Sequence, residues 1–160
     1  MRCFKFFAVL LSLVPLAGGA VDLSGLGETR DSWERRHGRP SVDVPCPVDC
    51  YDGGSLWVIY DEQNRIFQIE IPWTPSVNIR DAHSRIKTMV PPDGQKLRPR
   101  VSKHNPQSHG DIYHSLLLEL MFTEPGEVEG FVRGEYIIIH QIGRDGKVFS
   151  SIAAINYEGN

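Results

Sequence analysis

The chain has 160 residues, with 17 Lys and Arg against 20 Asp and Glu, for a net charge of −3 with His neutral. That length suffices for one domain with a real core. The acid excess argues against a protein that grips nucleic acid by bulk charge, though it leaves room for a local basic cleft.

Met1-Arg2-Cys3-Phe4-Lys5 is a short basic start, residues 6–16 are an apolar run, and Gly18-Gly19-Ala20 supplies the small residues that a cut after Ala20 needs. This is the pattern of a secretory signal peptide over residues 1–20. The run is too short to span a bilayer, which takes about 20 apolar residues. A buried N-terminal helix is the competing reading. Losing Arg2 and Lys5 with the leader leaves 15 cations against 20 acids, or −5, on a chain expected to be secreted. No later stretch is apolar enough to cross a membrane, so no membrane partner is expected, and there is no Asn-x-Ser/Thr sequon.

Residues 21–45 read as a disordered linker or pro-segment: Gly, Ser, Pro and charges, with Trp33 the only aromatic. Arg35-Arg36 is a dibasic pair that a processing protease could use, or simply part of a solvated linker. Cys46 and Cys50 remain once Cys3 leaves with the leader, and two cysteines in a secreted chain usually pair. A loop that small adds little chain entropy, so the bridge would sit at the low end of ~2–4 kcal/mol. Free thiols or an intermolecular bridge are the alternatives. A lone cysteine pair has too few ligands for a metal, and neither metal nor cofactor is expected.

From residue 46 to residue 160 the pattern predicts a single domain. Residues 55–60 and 66–71 are β-branched and aromatic on either side of a polar turn, which reads as a hairpin. Over residues 76–90, Ile79, Ala82, Ile86 and Met89 form a helical stripe, with Ser76 as cap and Pro91-Pro92 as stop. Residues 91–110 read as a proline-rich loop carrying Lys96, Arg98, Arg100, Lys103, His104 and His109. That loop is either ordinary surface or an anion-binding rim. Residues 111–122 read as a strand with Glu119 set among leucines. Residues 136–141 and 148–155 flank Gly143-Arg144-Asp145-Gly146 as a second hairpin. The expected class is α+β, one helix packed on a curved antiparallel sheet.

No Gly-x-Ser-x-Gly, His-Glu-x-x-His, phosphate-loop or calcium-loop motif occurs. The residues that could carry chemistry are Glu119, with His104 or His114 as acid–base partner, and Arg133 beside Gly134. A carboxylate and a histidine that face each other can work as base and acid in phosphodiester cleavage. Otherwise Glu119 lies in solvent and the histidines are ordinary polar residues.

The order of elements resembles the guanyl-specific microbial ribonuclease fold, and more closely the ribonuclease-like secreted effectors of plant-pathogenic fungi. The likeness runs from about Cys46 to Ile155. Cys46-x-x-x-Cys50-Tyr51 resembles the cysteine–tyrosine start of those enzymes, and the helix over 76–90 stands where their single helix does. Ser102-Lys103-His104 falls where they carry a catalytic histidine, and Leu118-Glu119-Leu120-Met121 where they carry the general-base glutamate. Gly134-Glu135-Tyr136-Ile137-Ile138 and residues 146–152 resemble their following strands. Tyr136 replaces the phosphate-binding arginine, however, and Ala153-Ala154 replaces the acid histidine. A tyrosine cannot clamp a phosphate as a guanidinium does, and an alanine cannot protonate a leaving group. The hairpin over 55–71 is also longer than the enzymes carry there.

The resemblance therefore implies a secreted effector without catalysis, acting in the host apoplast or inside host cells. A host protein would be its partner, with RNA as second candidate, and an inhibitor of host proteases would be a special case. The basic residues Lys96, Arg98, Arg100, Lys103 and Arg133 would contribute to binding. The rival reading is an active ribonuclease built on Glu119 with His104 or His114.

Overall fold

The computed structural model describes residues 23–43, 47–101, 107–122 and 132–155. In chain order the elements are α1 (Arg30–His37), β1 (Asp49–Tyr51), β2 (Leu56–Tyr60), β3 (Ile66–Val77), α2 (Ile79–Ile86), β4 (Gln95–Val101), β5 (Ser108–His114), α3 (Leu116–Met121), β6 (Glu135–Ile142) and β7 (Val148–Ile155). The strands form one antiparallel sheet in the order β1-β2-β3-β7-β6-β5-β4. The α+β class is as expected.

Both expected hairpins form, and local chemistry sets their turns. Asp61 Oδ1 accepts from the backbone N–H of Gln63 at 2.9 Å and of Arg65 at 2.8 Å. At the second turn Asp145 Oδ1 accepts from the Lys147 N–H at 3.0 Å. An aspartate that folds back onto its own turn offers the backbone a partner in place of the ladder.

Cross-strand pairing sorts the side chains into two faces. Ile69, Ala153, Ile138 and Asp111 share one row, and Ile71, Ser151, His140 and His109 the next. α2 covers this face, burying Ala82 and Ile86 against it, and the main core lies between them. The other face carries Glu70, Ile152, Ile139 and Gly110 in one row and Gln68, Ala154, Ile137 and Ile112 in the next.

Four expectations change. α2 starts at Ile79, three residues later than expected, because residues 76 and 77 continue β3 and Asn78 supplies the cap, its Oδ1 accepting from the Asp81 N–H at 2.9 Å. Ile79 is consequently exposed at the helix start and off the core stripe. The proline-rich segment is not all loop: Gln95–Val101 is the edge strand β4, where Pro99 is tolerated because an edge leaves a backbone donor unneeded. The long strand expected through residue 122 stops at His114. Ser115 caps α3 instead, its Oγ accepting from the Leu118 N–H at 3.2 Å, so Leu118 turns into the core while Leu116 and Leu120 face solvent.

The fourth change lies at the N-terminal end. Over 23–43 the segment read as disordered holds α1, with Thr29 as cap and Trp33 1 % exposed. Trp33 meets Tyr51 edge-on at 6.0 Å and stacks on His37 at 4.0 Å. Leu23 and Leu26, upstream of the helix, are also buried, and the buried carboxylate of Glu28 is held by Arg36 and by the Gly25 N–H. Trp33 is the one buried residue of α1, and a large aromatic can anchor a helix this short.

Candidate functional site

The residues nominated from sequence divide among an exposed corner, the sheet edge and the far face. The corner is where β5 ends, α3 begins and the chain enters β6. His114 closes β5 and Glu119 lies in the first turns of α3, not in a strand as expected. The change of element folds Glu119 back onto His114, and His114 Nε2 lies 3.1 Å from Glu119 Oε2. Their side chains are 31 % and 38 % exposed. Arg133 Nε donates to the Glu119 carbonyl at 2.7 Å, so its backbone contact ties the turn before β6 to α3.

Gly134 makes that closure sterically feasible. Its φ is +80°, and a Cβ there would lie 2.8 Å from His114 Nε2 and 2.9 Å from Glu119 Cβ. Only glycine combines that backbone with that space. Below the corner, Asp93 fixes the start of α3: Ser115 Oγ donates to its Oδ1 at 2.6 Å, and the Leu117 N–H to its Oδ2 at 3.1 Å.

The basic residues do not form one rim. Lys96 pairs across to Tyr113 and thus stands on the α2 face, where its Nζ lies 2.8 Å from Asp111. That contact holds the Lys96 ammonium above its ordinary range. Arg98 and Arg100 stand on the other face, in register with Ile112 and Gly110. Arg98 reaches Glu135 at 3.4 Å, and Arg100 lines a groove of about 570 Å3 with Phe67, Ile137, Ile139 and Ile152. Lys103, His104 and Cys46 lie outside the described residues. Cys50 is buried and disulfide-bonded.

Of the positions that the ribonuclease resemblance marks for chemistry, Tyr136 and Ala153 are interior, Ala154 is half-buried on the far face and Glu119 lies at the exposed corner. Tyr136 is 0 % exposed, stacked on Tyr113 at 5.2 Å, and its hydroxyl has no hydrogen-bond partner among the described residues. Burial pushes its phenol far above the usual range. Gly94 lies so close that a Cβ there would come within 1.8 Å of the Tyr136 hydroxyl. Ala153 is also fully buried, and Ala154 faces the opposite side of the sheet.

Sequence reading passed over a second histidine pair. His140 Nε2 and His83 Nδ1 lie 3.2 Å apart between β6 and α2, and His140 Nδ1 lies 2.9 Å from Ser151 Oγ. The signal was present: His140 follows three isoleucines in the most regular strand of the chain, on the same side as Tyr136 and Ile138. Burial, reinforced by His83, lowers His140 to about 4. Among the described residues no group of three or more His, Cys, Asp or Glu is placed to hold a metal ion. No helix there is long and apolar enough to cross a membrane. The chain matches no protein-family model, no curated protein and no solved structure.

Proposed function

We propose that this is a secreted fungal effector that works by binding a host target, promoting infection or suppressing plant immunity, without catalysis of its own. The observation that carries the non-catalytic half is the burial of Tyr136 and Ala153. The position that the resemblance gives to the phosphate clamp holds a buried tyrosine, and Ala153 and Ala154, which stand at the general acid, carry no proton to give; a substrate would have to displace core to reach Tyr136 or Ala153. The leader pattern in residues 1–20 supports secretion. The partner is a host protein, with inhibition of host proteases as its most specific form.

The surface best placed to meet a partner is the wing formed by β4 and the His114–Glu119–Arg133 corner, where cations and an anion are partly exposed on a sheet edge. Charged groups there guide encounter and orientation more than they supply affinity. The test is affinity capture from host extract by the wild type and by an Arg98→Glu/Arg133→Glu variant, both first shown to be folded by circular dichroism. A partner kept by the wild type and lost by the variant supports the reading. A partner kept equally by both removes the wing from it, and no retained partner removes binding to a host protein.

A second reading has one specific observation behind it, the 3.1 Å approach of His114 to Glu119. A general base and its partner in a ribonuclease need that proximity. RNA cleavage by the purified protein distinguishes the two readings.

A further inference from the structure

Between α2, the C-terminal half of β3 and the turn that joins β1 to β2 lies a cavity of about 350 Å3. It sits at the end of the sheet away from β4 and the His114–Glu119 corner. That volume is at the small end of the range for ligand sites, so it suits one compact molecule rather than a partner's strand or helix. Leu56, Ile71 and Met89 line it and are buried, and Trp73 lines it half-buried. The Trp73 indole N–H donates to Ser151 Oγ at 2.9 Å, which holds the ring in place and satisfies its one polar atom within the fold.

Two side chains of opposite charge line the same cavity. Arg85, on α2, is exposed, and its guanidinium enters no ion pair among the described residues. The side chain of Asp52, in the turn after β1, is 43 % exposed, with His37 Nδ1 at 3.6 Å from its Oδ2. No ion pair joins Arg85 to Asp52 among the described residues, so the two charges stand apart. A neutral apolar molecule in this cavity would leave both of them unanswered. A simple anion would gain Arg85 but meet Asp52, and a simple cation would gain Asp52 but meet Arg85. A molecule with one anion and one cation on an apolar body answers both.

We infer that this cavity binds a free amino acid with a large apolar side chain: the carboxylate engages Arg85, the ammonium engages Asp52, and the side chain packs against Leu56, Ile71, Trp73 and Met89. A guanidinium presents paired N–H donors that match a carboxylate, and an ionised aspartate accepts from an ammonium. Burial of the ligand's side chain on the apolar lining supplies the rest of the affinity. The site makes no use of the wing on β4, so amino-acid binding and host-protein binding succeed or fail separately.

The test is calorimetric titration of the purified protein with L-phenylalanine, beside N-acetyl-L-phenylalanine, L-phenylalaninamide and glycine. These three lack in turn the cation, the anion and the apolar side chain. L-phenylalanine is expected to bind with a Kd of about 1 mM or tighter, and each of the others about tenfold or more weaker. Arg85→Gln and Asp52→Asn, both first shown to be folded by circular dichroism, should each weaken L-phenylalanine by about tenfold. Asp52 has φ +50°, a left-handed value that asparagine also tolerates, and Arg85 is exposed, so both changes spare the core. In Arg85→Gln the amide should lose its disadvantage against the free acid, and in Asp52→Asn the acetylated compound should do the same. The Trp73 indole NMR signal should shift as L-phenylalanine is added. The inference is overturned if L-phenylalanine does not bind at about 10 mM, or if the amide or the acetylated compound binds the wild type as tightly. It is equally overturned if either folded variant binds L-phenylalanine as the wild type does, or if the Trp73 signal stays unmoved. Should a variant fail to fold, the three analogues on the wild type still test both charges.

Discussion

His140 lies inside the helix-covered face of the sheet with both ring nitrogens engaged, whereas His114 sits at an exposed corner with Nε2 on Glu119. His140 is held by Ser151 of β7 and His83 of α2 and is 4 % exposed. The His114 pair is held by a glycine-dependent turn and is about one-third exposed. Tyr136, Ile138 and Ala153 pack into the core on the helix-covered face, whereas the more exposed ionisable residues lie at the corner and the edge. Similar side chains thus serve packing in one region and stay accessible in the other, and burial separates the two.

Several substitutions would break or sharpen that contrast. The largest effect is expected from Tyr136→Arg, which places at a fully buried position the arginine that the proposed resemblance expects there. An uncompensated buried charge costs about 3–5 kcal/mol, so thermal denaturation should show a collapsed or lost transition. A stable variant would mean that this position opens to solvent. Next is Trp33→Ala, which removes the anchor of α1 and should cost about 3–5 kcal/mol by chemical denaturation. A loss under about 1 kcal/mol would return residues 23–43 to the status of a loose appendage.

The pH dependence is intermediate in size. Because burial holds His140 well below the ordinary histidine range, the unfolded chain takes up its proton first on acidification. Stability measured by urea titration should be flat above about pH 6.5 and decline toward about pH 4. In a His140→Gln variant that stays folded, the part of the decline due to this ring should disappear. The smallest effect is expected from Glu119→Ala. Its ion pair with His114 is exposed enough that its loss should change stability by under about 1 kcal/mol. A much larger loss would make the corner structural.

The two hairpins were legible because alternating apolar residues bracket turns that Asp61 and Asp145 enforce. α3 was hidden because Leu116-Leu117-Leu118-Glu119-Leu120-Met121 satisfies a strand and a helix period equally well. Ser115, the residue that decides, reads as a cap only once Asp93 is seen to hold it. α1 was hidden because a single tryptophan shows no period. β4 was hidden by Pro99 and its charges, the features that keep an exposed edge from pairing with another chain. Glu119 with His114 could be nominated from residue types alone, and Arg133 from its place beside a glycine. Their meeting depended on a turn into helix that the leucine run concealed. His140 was visible in its isoleucine strand, but its partners come from residues 57 and 11 positions away, and a local reading does not reach them.

The most direct measurement is cleavage of RNA by the purified protein beside a Glu119→Ala/His114→Ala double variant. The account predicts no cleavage by either, since the proposed reading gives the His114–Glu119 pair no phosphate clamp: the position it assigns to one holds the buried Tyr136. Cleavage by the wild type that the double variant loses would contradict it and make the His114–Glu119 corner an active site.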